Sequence, residues 1–158
     1  MENIISLKII KDAEERIAPH IHRTPILSSQ NINSIAEAEL FFKCENFQKI
    51  GAFKIRGAAN AVLSLKDEEK LKGVCTHSSG NFAQALALSA KKAGIKAYIV
   101  MPRTAPAVKK NAVLGYGAEV ILCEPTLEAR EKTVAGVREK HGAIFIHPYN
   151  DYKVIAGH

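Results

Sequence analysis

Residues 74–100 read VCTHSSGNFAQALALSAKKAGIKAYIV, and the architecture of the chain can be inferred outward from them. The apolar run from Val74 to Thr76 predicts a buried strand, Asn81 to Ala93 predicts a helix, and Ala97 to Val100 predicts a second strand. Gly94 stands where the C-cap of this helix is expected. A strand, a helix and a strand of these lengths indicate a parallel pair joined by a right-handed crossover.

The alternation of strands and helices continues toward the C-terminus. The pattern predicts a helix from Pro106 to Leu114, a strand from Glu119 to Leu122, a helix from Leu127 to Lys140 and a strand from Ala143 to Ile146. Gly115 or Gly117, and then Gly142, are expected to end the two helices. We therefore predict an α/β fold in which helices flank a twisted parallel sheet.

The first 65 residues predict elements that need partners beyond one small sheet. Ser6 to Ala18 has a helical pattern, Leu40 to Cys44 predicts a short strand, and Phe53 to Leu65 predicts a helix, followed by a charged link from Lys66 to Lys72. The closing segment from Val154 to His158 is an apolar run without a cap. We therefore expect a fragment with an exposed hydrophobic surface that is prone to self-association.

Composition narrows the class of protein. The chain has 158 residues, 47% of them hydrophobic, which suffices for a sizeable globular core. Its formal charge of +6 comes from scattered Lys and Arg, a pattern that suits solvated helix faces and an anionic small-molecule ligand equally well. Because aromatic residues make up 6% of the chain and no basic stripe is present, we expect no nucleic-acid partner.

Cysteine usage and hydropathy predict a cytoplasmic protein. Cys44, Cys75 and Cys123 are odd in number and far apart, which argues against a disulfide framework and a zinc site. No apolar run approaches the roughly 18 residues that span a membrane, and the N-terminus lacks a secretory leader pattern. We therefore expect no membrane partner. The histidines lack metal-ligand spacing, so no metal site is predicted.

The loop from Ser78 to Asn81 is a candidate binding site. Ligands of open α/β sheets bind at the carboxyl ends of strands, and this loop follows a predicted strand and opens the next helix. Two hydroxyls, a glycine and free helix N–H groups suit a carboxylate, a phosphate or a phenolate oxygen. The same residue types also serve as simple helix N-caps, so the loop alone leaves both interpretations open.

Lys54, at the start of the predicted helix in the run from Gly51 to Gly57, is a candidate nucleophile. A lone lysine in an amphipathic segment is usually a solvated surface charge. A catalytic lysine must be neutral to attack, and burial or a neighbouring positive charge lowers its pKa. Arg56 would supply such a charge if its side chain pointed inward.

Several stretches together carry a family resemblance: Phe41 to Lys49, Arg56 to Ala58, Ser78 to Asn81, Tyr98 to Pro102, Tyr116 to Ala118 and Val154 to Gly157. This set resembles the pyridoxal-phosphate enzymes of the tryptophan synthase β fold (fold type II), in the serine racemase and serine/threonine dehydratase branch. The likeness covers nearly all of the chain. It implies an amino-acid lyase or racemase that acts on serine or threonine, by β-elimination to a 2-oxo acid and ammonia, by serine racemisation, or by both.

The resemblance also implies roles for individual residues. Lys54 would form the Schiff base with the aldehyde of pyridoxal 5'-phosphate, Phe53 would lie beside it, and Asn81 would hydrogen-bond the 3′ oxygen of the pyridine ring. The substrate carboxylate would be held by the loop residues Ser78, Ser79, Gly80 and Asn81.

Ser79 occupies the position that separates racemases from dehydratases in this branch. Inverting a stereocentre requires one acid/base group on each face of the planar carbanion. The resemblance assigns Lys54 to one face and Ser79 to the other, whereas many dedicated dehydratases carry Ser-Ala-Gly-Asn. The alternative is that Ser79 only binds a carboxylate.

The resemblance further implies the domain organisation. Residues 1–68 would be the N-terminal part of the large domain, residues 69–150 the small α/β domain, and residues 151–158 the start of a return to the large domain. The family's glycine-rich phosphate loop, its metal-binding carboxylates and the residue facing the pyridine nitrogen would lie beyond residue 158. A divalent metal is therefore expected only in a full-length form, which would be a homodimer.

Some positions of the chain depart from the family pattern, and the roles of some others stay open. Ala52 and Phe82 stand where relatives often carry Ser and His, which would reduce polarity beside the cofactor. Tyr116, Tyr149 and Asn150 are further candidates for the cleft.

The alternative functions are a catalytically inactive fragment and a module that binds an amino acid or carboxylate. An unrelated nucleotide-binding domain is disfavoured because no Gly-x-Gly-x-x-Gly follows a strand.

Overall fold

The computed structural model describes residues 5–158, which form six strands and eight α-helices. The strands are β1 (Ile26–Leu27), β2 (Phe42–Lys43), β3 (Val74–His77), β4 (Ala97–Pro102), β5 (Glu119–Cys123) and β6 (Ile144–Phe145). The helices are α1 (Leu7–Ile17), α2 (Gln30–Ala36), α3 (Lys54–Leu63), α4 (Asp67–Lys72), α5 (Asn81–Ala93), α6 (Ala107–Gly115), α7 (Leu127–His141) and α8 (Tyr152–Gly157).

The central sheet has four parallel strands in the order β5-β4-β3-β6. Val74 of β3 pairs with Ala97 of β4 on one side and with Ile144 of β6 on the other. Both inner strands, β3 and β4, are buried along their whole length, as expected for a parallel sheet covered on both faces. The predicted α/β fold with a parallel sheet flanked by helices is confirmed.

Helices cover the two faces of the sheet and create two hydrophobic clusters. On one face, Val134 and Val137 of α7 pack with Cys75, Tyr98 and Val100. On the other face, α3, α5 and α6 enclose a larger cluster that contains Ile55, Val62, Leu86, Ile99, Met101 and Val113. Because α3 packs against α5, the helix that begins at Lys54 belongs to the layer that covers this face of the sheet.

Glycines end the sheet-flanking helices where the sequence predicts them. Gly94 and Gly142 are the C-caps of α5 and α7, with φ of +69° and +67°, a left-handed conformation that glycine adopts without a steric penalty. After α6 the C-cap is Tyr116, and Gly117 follows with φ of +82°, so Gly117 rather than Gly115 is the left-handed residue.

The N-terminal part contains more regular structure than predicted. The predicted strand near Leu40 is reduced to β2, which pairs antiparallel with β1, and neither β1 nor α2 was predicted from the sequence. The charged link contains α4, at whose start the Glu69 carboxylate accepts from the Lys66 backbone N–H at 2.8 Å. Local side-chain to backbone bonds therefore create a short helix in a segment without an apolar stripe.

The closing apolar segment is helical and is capped at its N-terminal end. Residues 152–157 form α8, and the Asp151 carboxylate caps it by accepting from the backbone N–H of Lys153 (2.8 Å) and of Val154 (3.3 Å). The helix packs against α1 and α3. Asn60, buried in α3, donates to the Lys153 carbonyl at 2.7 Å and accepts from Arg16 of α1 at 2.6 Å, so one amide connects three helices.

Gly57→Ala is expected to lower the free energy of unfolding by about 1–3 kcal/mol, because α3 and α8 touch at this position. An added Cβ would lie 2.5 Å from the Val154 carbonyl oxygen, a backbone atom that cannot move without shifting α8. The matched control is Gly136→Ala in α7, where nothing lies within 4 Å of the new Cβ; it should add about 0.5–1 kcal/mol through helix propensity. Urea unfolding, followed by circular dichroism, gives the free energies of unfolding of the two variants and of the wild type. A Gly57→Ala protein as stable as wild type would contradict this packing.

Candidate active site

Lys54 is the first residue of α3, and its side chain is partly buried. Its ammonium nitrogen Nζ donates to the carbonyl oxygen of Pro148 at 3.2 Å and lies 4.9 Å from the centroid of the Phe53 ring. Burial lowers the pKa of the Lys54 amine, because the charged form loses solvation there. A larger fraction of this amine is therefore neutral near pH 7 than for a solvated lysine.

The suggestion that Arg56 lowers the pKa of Lys54 was wrong. The Arg56 guanidinium forms a two-point ion pair with Glu45, at 2.9 Å through Nε and 2.7 Å through Nη2. This pairing raises the pKa of Arg56 and lowers the pKa of Glu45, chiefly through the hydrogen bond between them. Because the Glu45 carboxylate neutralises Arg56, burial alone accounts for the lowered pKa of Lys54.

The loop from Ser78 to Asn81 joins the carboxyl end of β3 to the start of α5. The Ser78 N–H donates to the Val100 carbonyl at 3.0 Å, which extends the β3–β4 pairing by one residue. The Ser78 hydroxyl accepts from the Gly80 N–H at 3.3 Å, and the N-cap residue Gly80 makes no side-chain cap. The first N–H groups of α5 therefore have no side-chain partner and are available to an anion at this end of the helix dipole.

A cleft of about 450 Å³ brings the predicted residues together. Phe53, Lys54, Ser78, Ser79, Gly80 and Asn81 all line it, although Lys54 lies far from the loop along the chain. Tyr149 also lines the cleft, whereas Tyr116 packs against the hydrophobic core and Asn150 does not contribute to the lining. Phe82 lines the cleft and is largely buried, so it adds an apolar rather than a hydrogen-bonding group, whereas Ala52 is buried and is not part of the lining.

Three titratable cleft residues were missed by reasoning from the sequence, namely His77, Lys109 and Arg130, and so were Leu127 and Pro148. His77 ends β3, and burial is the main cause that lowers its pKa. Arg130 has a buried Nε without a hydrogen-bond partner among the described residues. With Lys54, Lys109 and Arg130 give the cleft three cationic side chains and no lining carboxylate, which favours an anionic ligand.

A second cavity of about 470 Å³ also has Phe53 in its lining. Ile10, Lys43, Arg56 and His158 are among its lining residues. Burial, and then the charge of Lys54, lower the pKa of His158 to about 4, so its imidazole is neutral at physiological pH. The ring meets Phe53 edge to face at 4.9 Å.

Within residues 5–158, no group of three or more His, Cys, Asp and Glu side chains is arranged to hold a metal ion. None of the helices in this part of the chain combines the length and the hydropathy of a membrane span.

Comparison with known proteins identifies close relatives. Residues 17–158 match the family model described as pyridoxal-phosphate dependent enzyme. The serine racemase of Dictyostelium discoideum is 52% identical over 153 residues, which cover 97% of this chain and 47% of that protein. The β-hydroxyaspartate dehydratase of Paracoccus denitrificans is 55% identical over 145 residues, which cover 92% of this chain and 46% of that protein.

Solved structures agree with this result. The crystal structure of the Dictyostelium serine racemase superposes with a TM-score of 0.93, covering 97% of this chain and 50% of the other. The maize serine racemase superposes with a TM-score of 0.94 at 51% identity, covering 96% of this chain and 46% of the other. The chain therefore spans about half the length of the relatives that it matches.

Proposed function

Because the chain belongs to the pyridoxal-phosphate-dependent enzyme family, we propose that it supplies the lysine-bearing half of an amino-acid lyase or racemase that acts on serine or threonine. The observation that carries this proposal is the shared cleft, in which the Lys54 amine and the Ser78–Asn81 loop face one space of about 450 Å³. Neither feature alone distinguishes a surface lysine or a helix cap from a catalytic site. Their juxtaposition at the carboxyl end of β3 supports a catalytic site, since ligands bind there in open α/β sheets.

The residues of the cleft fit pyridoxal phosphate. A partly buried amine with a lowered pKa is suited to covalent attachment of an aldehyde, and Lys54 is such an amine. Phe53 offers a ring beside it, and Asn81 offers an amide for the ring oxygen of the cofactor. When bound, the cofactor supplies an electron sink for the electron pair left on the substrate α-carbon.

The remaining tasks fall to side chains and backbone of this chain. We assign the substrate carboxylate to the two serine hydroxyls and the free N–H groups at the start of α5. Lys54 takes the α-proton, and the Pro148 carbonyl gives its amine a fixed acceptor when it is not covalently engaged. Loss of the serine hydroxyl as water leaves an aminoacrylate, and hydrolysis of this product after its release takes up one water and yields pyruvate and ammonia. Return of a proton from the Ser79 side instead inverts the α-carbon.

A specific observation also favours a substrate with a second carboxylate. Arg130 and Lys109 line the same cleft as the loop, and the buried Nε of Arg130 has no partner among the described residues. Serine has a single carboxylate and leaves these cations unmatched. A 3-hydroxy dicarboxylic amino acid would pair with them, and a relative that is 55% identical is named β-hydroxyaspartate dehydratase.

We propose a boundary between two structural units near residue 68. Of nineteen exposed large apolar side chains among the described residues, thirteen belong to residues 5–68 or to α8. They are Leu7, Ile9, Ile10, Ile26, Leu27, Ile32, Ile35, Phe41, Phe42, Phe47, Phe53, Tyr152 and Ile155. Since α8 packs on α1 and α3, residues 151–158 belong with this unit, and its exposed face suits the remainder of a large domain. Residues 69–150 form the small α/β unit.

The alternative function is a catalytically inactive module that binds an amino acid or a carboxylate. The same cationic cleft supports it, because carboxylate affinity requires the loop and the cations but no cofactor. We further propose that the complete protein is a cytoplasmic homodimer and that any divalent metal is held by residues outside this chain.

Reconstitution separates the two functions. The chain is coexpressed with a polypeptide that comprises the C-terminal half of the Dictyostelium serine racemase, and the purified complex is supplied with pyridoxal phosphate. We expect visible absorbance of the bound cofactor and pyruvate formation, because the partner would cover the apolar face and complete the cleft. Serine, threonine and 3-hydroxyaspartate are compared as substrates. A stable complex that binds these acids but shows neither absorbance nor turnover would support the inactive module instead.

A further inference from the structure

The turn that follows β6 is held by a histidine ring. The Nδ1 atom of His147 accepts from two backbone N–H groups, that of Tyr149 at 3.2 Å and that of Asn150 at 2.9 Å. A nitrogen that accepts these bonds uses its lone pair for them, so both bonds require an Nδ1 atom without a proton. The two bonds bracket Pro148, which is buried, and fix the direction of its carbonyl group.

That carbonyl group is the partner of the Lys54 amine. Its oxygen accepts from Lys54 Nζ at 3.2 Å, across 94 positions of sequence. Among the described residues this is the one hydrogen bond of the Lys54 side chain. The turn after β6 therefore determines which way the amine points within the cleft.

Aromatic packing keeps the His147 ring in place. Tyr149 meets it edge to face with centroids 4.3 Å apart, and Phe145 and His77 meet it at 5.9 Å and 6.0 Å with nearly perpendicular planes. Rings on three sides restrict rotation about the side-chain bonds of His147. The acceptor atom is therefore preorganised rather than one of several rotamers in exchange.

We propose that His147 is a positioning residue for Lys54, acting through the turn and the Pro148 carbonyl. The catalytic use of Lys54 rests on the proposed function, whereas the orientation and reactivity of its amine do not require a cofactor. A carbonyl acceptor stabilises the ammonium form and holds it in one direction. Without the two bonds to Nδ1, the carbonyl loses its fixed direction and the amine is released.

Two substitutions of His147 test the proposal on the 158-residue chain. His147→Phe keeps a ring for Tyr149 and Phe145 but has no acceptor, and His147→Asn retains an acceptor oxygen near the position of Nδ1. Two rates are measured by mass spectrometry. One is hydrogen exchange of the segment that contains the Tyr149 and Asn150 amides, and the other is acylation of Lys54 by a limiting amine reagent, relative to Lys109 in the same cleft.

For His147→Phe we expect amide exchange of the turn to be about tenfold faster and the Lys54 to Lys109 acylation ratio to rise about threefold or more. His147→Asn should stay near wild type in both. The proposal is overturned if exchange accelerates in His147→Phe while the acylation ratio stays unchanged, or if His147→Asn behaves like His147→Phe.

Global unfolding and failure of the proposed function are both distinguishable from these outcomes. If the His147→Phe protein unfolded, the acylation rates of all its lysines would rise together. These include Lys49, which donates to the His20 carbonyl at 2.6 Å. In that case the His147→Leu protein is used instead of His147→Phe. Leucine also lacks an acceptor but is smaller than a ring, and we expect the same changes in amide exchange and in the acylation ratio. If the chain never binds the cofactor, the acylation ratios still decide the role of His147.

Discussion

Lys54→Arg should abolish covalent attachment of pyridoxal phosphate in the reconstituted two-chain protein and lower pyruvate formation by about 10⁴-fold. Arginine keeps a positive charge at the start of α3, but its guanidinium is never neutral in a protein and cannot attack an aldehyde. The structure makes this replacement informative because burial lowers the pKa of the lysine amine, a shift that arginine cannot exploit. A purely electrostatic role for Lys54 would survive the exchange.

Absorbance spectra and borohydride reduction measure this effect. Reduction of the wild-type complex should fix the cofactor on the tryptic peptide that contains Lys54, and the Lys54→Arg complex should remain unlabelled. Lys91→Arg is the matched control, because Lys91 lies in the last turn of α5, is exposed and donates to the Gly115 carbonyl. Labelling of another lysine in the Lys54→Arg complex, or retained turnover, would contradict the assignment.

The sheet could be predicted from the sequence because its signals are local and repeated. Burial on both faces requires continuous apolar runs, and these identify β3 and β4 directly. The predicted bounds of α5 agree with the structure at both ends, since Gly80 precedes the helix and Gly94 ends it in the left-handed region. Parallel topology then places the loop after β3 at the ligand-binding edge.

Other elements carry weaker local signals. The helix α2 has no buried residue, so its sequence lacks the apolar stripe on which helix prediction depends. The helix α8 is recognisable only by its Asp151 cap, because six residues are too few to show a period. Short elements of this kind are stabilised by caps and by contacts distant in sequence.

The candidate site likewise has parts that the sequence predicts and parts that it does not. Lys54 and the Ser78–Asn81 loop can be identified from the residues next to them in the sequence, and the topology of the fold brings them to one cleft. The pairing of Arg56 with Glu45, the entry of Arg130 into the cleft and the contact of Lys54 with the Pro148 carbonyl depend on side-chain directions. A periodic pattern specifies which face of an element is buried, but it does not specify where a long side chain ends.

Ser79→Ala is expected to lower serine racemisation at least about 100-fold in the reconstituted protein while β-elimination changes by less than about threefold. Racemisation needs a proton donor on each side of the α-carbon, whereas elimination needs the Lys54 side alone. Ser78 and the free N–H groups of α5 remain in the variant, so most of the carboxylate site is retained.

A chiral separation of serine and a lactate-dehydrogenase assay for pyruvate measure the two reactions in one sample. Ser34→Ala, an exposed position of α2 outside the cleft, is the control for the loss of a hydroxyl. A variant that loses both reactions to the same extent would restrict Ser79 to carboxylate binding. Racemisation that persists undiminished would require a different residue to face Lys54 across the substrate, and His77, which lines the same cleft at the end of β3, would be the first to replace.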